Sequence, residues 1–155
     1  MEWEIAKFVL QAAIAVGGAF LAAHLATTRF RGEKWWERKA IAYGELVDAL
    51  HKMKWPPSEH MDAQIEGREI PQDESDKQWE EFKAARRNVW RIADGSSFLV
   101  SEQVLRAVQQ MERDLGKATS AESWFEHVEA QYGAVEKCLS RIKEIGRAEL
   151  GVKDA

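Results

Sequence analysis

Lys83 is followed three, four and eight positions later by Arg86, Arg87 and Arg91, with Trp90 four residues after Arg86. On a helix such spacings share a face, where cations can grip an anionic group and an indole can stack on a flat ring. The chemistry this suggests is recognition of an anionic ligand, a nucleotide for example. The competing reading is structural: Glu80, three before Lys83, Glu81, five before Arg86, or acids of an adjacent helix would neutralise the same cations. The sole cysteine, Cys138, stands beside Leu139 in an apolar stripe and reads as a buried thiol, with nothing nearby in sequence to lower its pKa. Histidines occur at 24, 51, 60 and 127. His60, with Glu59 and Asp62, offers donors to a hard cation but lacks the convergent spacing of a metal site. His127, three residues after Trp124, reads as a half-buried helix residue. A Gly-rich phosphate loop, G-x-S-x-G, H-E-x-x-H and C-x-x-C are all missing from the sequence. No catalytic, cofactor-binding or metal-ligating residue is expected, and the chain is read as non-enzymatic.

The elements that would carry these residues are unevenly composed. Residues 8–26 (FVLQAAIAVGGAFLAAHLA) hold no formal charge, although the whole chain is 31% charged with a mean hydropathy of −0.46. Nineteen helical residues rise about 28 Å, close to the ~30 Å hydrocarbon thickness of a bilayer. The run contains no proline, so its backbone can satisfy itself internally. The expectation is a transmembrane helix, with a buried core helix or a cleaved signal peptide as the alternatives; the acidic start Met1-Glu2-Trp3-Glu4 disfavours the last. Arg29, Arg31, Lys34, Arg38 and Lys39 follow the run, whereas only Lys7 precedes it. Basic flanks stay on the cytoplasmic side, which predicts an outside N-terminus and a cytoplasmic remainder. Trp3 and Trp35 fit interfacial anchors at the two ends, and Arg29 and Arg31 fit lipid phosphates.

Within this run small residues recur every four positions: Ala15, Ala19 and Ala23, Ala13 with Gly17, and Gly18 with Ala22. Such faces let membrane helices approach closely, and Gln11 can hydrogen-bond across the contact. Self-association through Gln11, Ala15, Gly17, Gly18, Ala19 and Ala22 is expected. His24, near the cytoplasmic end, reads as an interfacial residue or, with Gln11, as the lining of a polar path between assembled helices.

From residue 33 to residue 54 the pattern turns amphipathic, with Trp36, Ala40, Tyr43, Val47 and Leu50 at spacings of four and three and Leu46 and Met53 alongside. Pro56-Pro57 is expected to end that helix, and residues 55–74, with six acids and one base, to form a long acidic loop. A helix over 75–93 buries Trp79, Phe82, Ala85 or Arg86, Val89 and Ile92, and stops at Asp94-Gly95. Another, from about 101 to 115, carries Val104, Val108, Met111 and Leu115, and is stopped by Gly116. Thr119-Ser120-Ala121-Glu122 reads as a capping box opening the last helix, whose stripe is Trp124, Val128, Tyr132 or Gln131, Val135, Leu139, Ile142 and Ile145. Gly146 and Gly151 mark its fraying end. No convincing strand is found. The fold class is all-α: a transmembrane anchor over 1–29, then over 30–155 a cytoplasmic antiparallel bundle of about four helices.

Residues 30–54 (FRGEKWWERKAIAYGELVDALHKMK), with the apolar helix before them, resemble a group of small bacterial single-pass membrane proteins of uncharacterised function, some from mobile or defence-related gene neighbourhoods. The resemblance rests on Trp35, Trp36, Glu37, Lys39 and Tyr43, covers about a third of the chain and carries no ligand or catalytic residues. It implies a place in the bacterial inner membrane. Residues 1–54 have eight bases and six acids, and residues 55–155 fourteen bases and twenty acids. The basic part suits an anionic inner leaflet and the acidic part disfavours nucleic acid. The expected function is a membrane-anchored protein that self-assembles or binds a protein partner through its bundle. The alternative is a membrane-permeabilising effector whose transmembrane helices oligomerise on a nucleotide or protein signal received by the bundle.

Overall fold

The computed structural model describes the backbone of residues 2–152 and the side chains of residues 18, 20–27, 29, 30 and 32–152. Every regular element among them is a helix: α1 (Glu2–Glu66), α2 (Gln72–Gly95), α3 (Glu102–Ala118) and α4 (Trp124–Leu150). The chain divides into two compact units, Met1–Glu37 and Arg38–Ala155.

In the second unit, the remainder of α1 and the other three helices bury one continuous apolar core. Leu46, Leu50 and Met53 of α1, Phe82, Ala85, Val89 and Ile92 of α2, Val104, Val108 and Met111 of α3, and Val135, Leu139 and Ile142 of α4 are its main members. Each set repeats at three and four residues, which is why these segments form helices with one buried face. Ala85 takes the buried position and Arg86 the exposed one. Trp36 and Trp124, expected on apolar stripes, are 52% and 51% exposed. Contacts between α1 and α4 run in opposite chain directions: Lys39 meets Glu149, Tyr43 meets Gly146 and Lys54 meets Glu136. The two helices are therefore antiparallel. Gly146 does not fray; it is buried, and a Cβ there would lie 3.0 Å from the Tyr43 ring.

Two expected boundaries are corrected. α1 does not stop at Pro56-Pro57 but continues to Glu66, so of the predicted acidic loop 55–74 only residues 67–71 lie outside helices. Proline's fixed φ is itself helical; its cost is a lost N–H and a ring that crowds the preceding turn. Here both rings are buried, Pro56 almost completely, and the helix beyond them packs Ala63 inward. The end comes instead at Gly67, whose φ of +70° allows Gly67 N–H to reach Gln64 O (3.3 Å) and Arg68 N–H to reach Ala63 O (2.8 Å).

The second correction concerns the start of α4. Gly116 lies within α3, and Thr119 and Ser120 donate their hydroxyls back to Gly116 O and Lys117 O, both at 2.7 Å. They close α3 rather than open α4. The cap of α4 is Ser123, whose Oγ accepts from Glu126 N–H at 3.2 Å, while Glu126 Oε2 accepts from Glu122 N–H at 3.2 Å.

Candidate functional site

The exposed face of α2 gathers the residues that the spacing singled out. Because Phe82, Ala85, Val89 and Ile92 turn inward, Lys83, Arg86 and Arg87 must face out, and half-buried Trp90 sits at the border. Lys83, Arg86, Arg87 and Trp90, together with Glu112 of α3, line a cavity of about 400 Å³. Lys83 Nζ bonds Glu80 Oε1 at 2.8 Å, the expected neighbour, in a pair that is well exposed on both sides. Arg86 pairs across to α3 rather than with Glu81: its Nε lies 2.9 and 3.0 Å from the two oxygens of Glu112, and its second contact comes from Nη2. That hydrogen bonding holds the Arg86 guanidinium above its ordinary pKa against the opposing effect of burial. Arg87 makes no ion pair among the described residues, its influence reaching Glu80 only through space. Arg91 is not among the residues that line the cavity, and it donates to Asn88 Oδ1 at 3.0 and 2.8 Å.

Two further polar groups tie α1 to α4. Lys39 Nζ lies 2.6 Å from Glu149 Oε2, with both side chains mostly shielded. Tyr43 Oη, Ser101 Oγ and Glu149 Oε2 are all cut off from water without a well-directed hydrogen bond, yet they are near enough to shift one another. Burial, reinforced by Glu149, drives the Tyr43 phenol far up. Burial would raise the Glu149 carboxyl too, but Lys39 and the Ser101 and Tyr43 hydroxyls outweigh it and hold it below its ordinary value. Lys54 Nζ lies 2.5 Å from Glu136 Oε2 and 5.0 Å from the centre of the Tyr132 ring. The Lys54 hydrogen bond holds Glu136 below its ordinary value, and Lys54 is raised in turn.

One cluster escaped the sequence reading. His60 is on α1 rather than in the expected acidic loop, with its ring centre 5.0 Å from Trp79 and 5.9 Å from Trp124, and Trp79 and Trp124 are 5.6 Å apart. These rings border a cavity of about 550 Å³ beside Arg68, Ser75 and Asp76. Burial pulls the His60 imidazole below its ordinary value. The available signal was the tryptophan at the head of α4, which faces the α1–α2 turn once α1 is allowed to pass its prolines. His127 is half-buried, with Nδ1 2.7 Å from Ala118 O. Cys138 is buried as expected, its thiol pushed up to about 12 by desolvation with Glu112 adding to it.

In the first unit every described side chain is exposed, including Phe20 (73%), Leu21 (62%) and Phe30 (60%). Gly18 and Ala22 of the small-residue face are exposed, as are Arg29, which pairs with Glu33 at 3.0 Å, and Trp35. The side chains of Trp3, Gln11, Ala15, Gly17, Ala19 and Arg31 lie outside the described residues. Among the described residues no helix is long and apolar enough to cross a membrane, and no three His, Cys, Asp or Glu side chains converge as metal ligands. No protein-family model matches the chain, and neither a curated protein nor a solved structure matches it.

Proposed function

We propose that the chain is a non-enzymatic, membrane-anchored helical protein of the bacterial inner membrane. Residues 8–26 cross the bilayer with the N-terminus outside, and the bundle in the cytoplasm self-assembles or binds a protein partner. One observation carries this reading: in a helical stretch with no formal charge over nineteen residues, every described side chain is exposed, Phe20, Leu21 and Leu25 among them. Leaving such side chains in water forfeits about 1.5–3 kcal/mol each, which lipid tails or another chain would recover. The exposure argues against a core helix, and the basic residues after the run support the orientation.

Extraction of a membrane fraction with alkaline carbonate tests it. The full chain is expected to remain in the pellet, and release into the supernatant would refute anchoring. Gly18→Arg sharpens the test, because a Cβ at Gly18 meets nothing within 4 Å. A central arginine costs insertion about 2.5–3.5 kcal/mol. The variant should therefore appear in the carbonate supernatant with its helical content intact. Equal retention of both forms would mean that lipid does not surround this residue.

A further inference from the structure

After residue 54 the chain is strongly acidic, yet four of its fourteen bases fall within residues 83–91, where no acid occurs. Three of the four share one cavity with an indole and a carboxylate. Within it the cations are differently committed. Arg86 is fixed by two-pronged pairing with Glu112, whose side chain is only 17% exposed. Lys83 is held only by an exposed neighbour on its own helix, in a pair that water screens on both sides. Arg87 has no ion-pair partner among the described residues. A loosely held ammonium beside an uncommitted guanidinium is what an anionic oxygen cluster requires. The aromatic wall adds a flat apolar surface anchored on the core. Glu112 adds an acceptor, which repels a purely anionic surface but suits a ligand that carries donors next to its phosphate.

We propose that this α2–α3 cavity binds a nucleoside phosphate, with Arg87 and Lys83 on the phosphate oxygens, the base against Trp90, and Glu112 accepting from a hydroxyl or amino group. At about 400 Å³ the cavity lies within the ~300–1,000 Å³ range of small-molecule sites. Arg86 acts as a positioning residue, because it ties α2 to α3 and holds Glu112 in the wall. Binding here is independent of whether residues 8–26 cross a membrane.

Equilibrium dialysis of the full chain in neutral detergent, with ATP and inorganic phosphate as separate probes, tests the site. ATP should bind saturably, and inorganic phosphate at least about tenfold more weakly for want of the stacked base. Arg87→Gln should weaken ATP by about tenfold or more while leaving the circular dichroism spectrum and melting unchanged, since that side chain is exposed. Lys83→Gln is the second variant, also exposed, and should weaken ATP several-fold. Trp90→Phe should lower ATP affinity while leaving phosphate affinity alone. Absence of saturation up to about 1 mM would overturn the proposal, as would ATP binding unchanged in both charge variants. Phosphate binding as tightly as ATP would remove the nucleoside from it. Displacement of ATP by short-chain phosphatidylglycerol, with the same dependence on Arg87, would reassign the cavity to a lipid headgroup.

Discussion

Individual side chains on the α1–α4 seam decide how closely those helices approach. Gly146 faces the buried Tyr43 ring, and an added methyl group would meet that ring at 3.0 Å with no flexible end to give way. Gly146→Ala gains about 1 kcal/mol of helix propensity but incurs about 1–3 kcal/mol of overpacking, so a net loss of about 1 kcal/mol is expected. Gly133, on the same helix, has open space where its Cβ would lie, and Gly133→Ala should gain roughly 0.5–1 kcal/mol. Denaturant midpoints moving in the same direction for both variants would contradict the close approach. The carboxylates on this seam give a pH dependence of definite sign. Glu136 and Glu149 are both held below the ordinary value of 4.5, the first by Lys54 and the second by Lys39 with two hydroxyls. A depressed folded pKa stabilises in full above the unfolded value and loses that stabilisation as pH falls through the folded one. Urea midpoints should therefore decline from about pH 5 downward, and less steeply in a Glu136→Gln, Glu149→Gln double variant. Identical slopes would show that these pairs do not distinguish the folded from the unfolded chain.

At the scale of elements, apolar periodicity located all four helices of the bundle and most of their buried faces, because burial against neighbours imposes a 3.6-residue repeat on whatever sequence forms a helix. Val104, Val108, Met111 and Leu115 stand as their spacing predicts, and the Lys83–Trp90 face does share a cavity. Element ends were read less well, since they turn on local competition that spacing does not resolve. Pro56-Pro57 looked terminal because the lost donors are visible in sequence, whereas the burial of both rings is a tertiary fact. Gly67, the real stop, carried an equally plain signal that was overshadowed by the prolines before it. At the head of α4 two motifs of the same type compete, Thr119…Glu122 and Ser123…Glu126, and hydrogen bonding selects the second. Ser123→Ala should therefore cost about 1 kcal/mol, a drop in Tm of about 4 °C, while Thr119→Ala should change little. The opposite ranking would reinstate the earlier cap. That Arg86 pairs with Glu112 in particular, and that His60 joins Trp79 and Trp124, is not fixed by spacing along one helix, because each contact joins residues that only the packing of separate helices brings together.

Across the whole chain, charge and apolarity are segregated along the sequence: an uncharged run, a basic flank, then an acidic remainder. If residues 8–26 cross the bilayer, the flank of Arg29, Arg31, Lys34, Arg38 and Lys39 is the feature that orients the chain, because translocating arginine and lysine is disfavoured while translocating the acidic start is not. The bundle then lies in the cytoplasm, where its one cysteine would stay a thiol. That cysteine is buried, and its pKa of about 12 leaves almost no thiolate at neutral pH, so the native chain offers nothing to a thiol reagent. This silence makes topology measurable. Ser97 sits exposed in the turn between α2 and α3, making a single backbone bond to Asp94 O at 3.1 Å through its own amide. Ser97→Cys places a reactive thiol there without touching the core. A membrane-impermeant maleimide should label Ser97→Cys only after the cells are permeabilised, and should leave the native chain unlabelled until it is unfolded. Labelling of Ser97→Cys in intact cells would put the bundle outside, and the basic flank would then have failed to set the orientation.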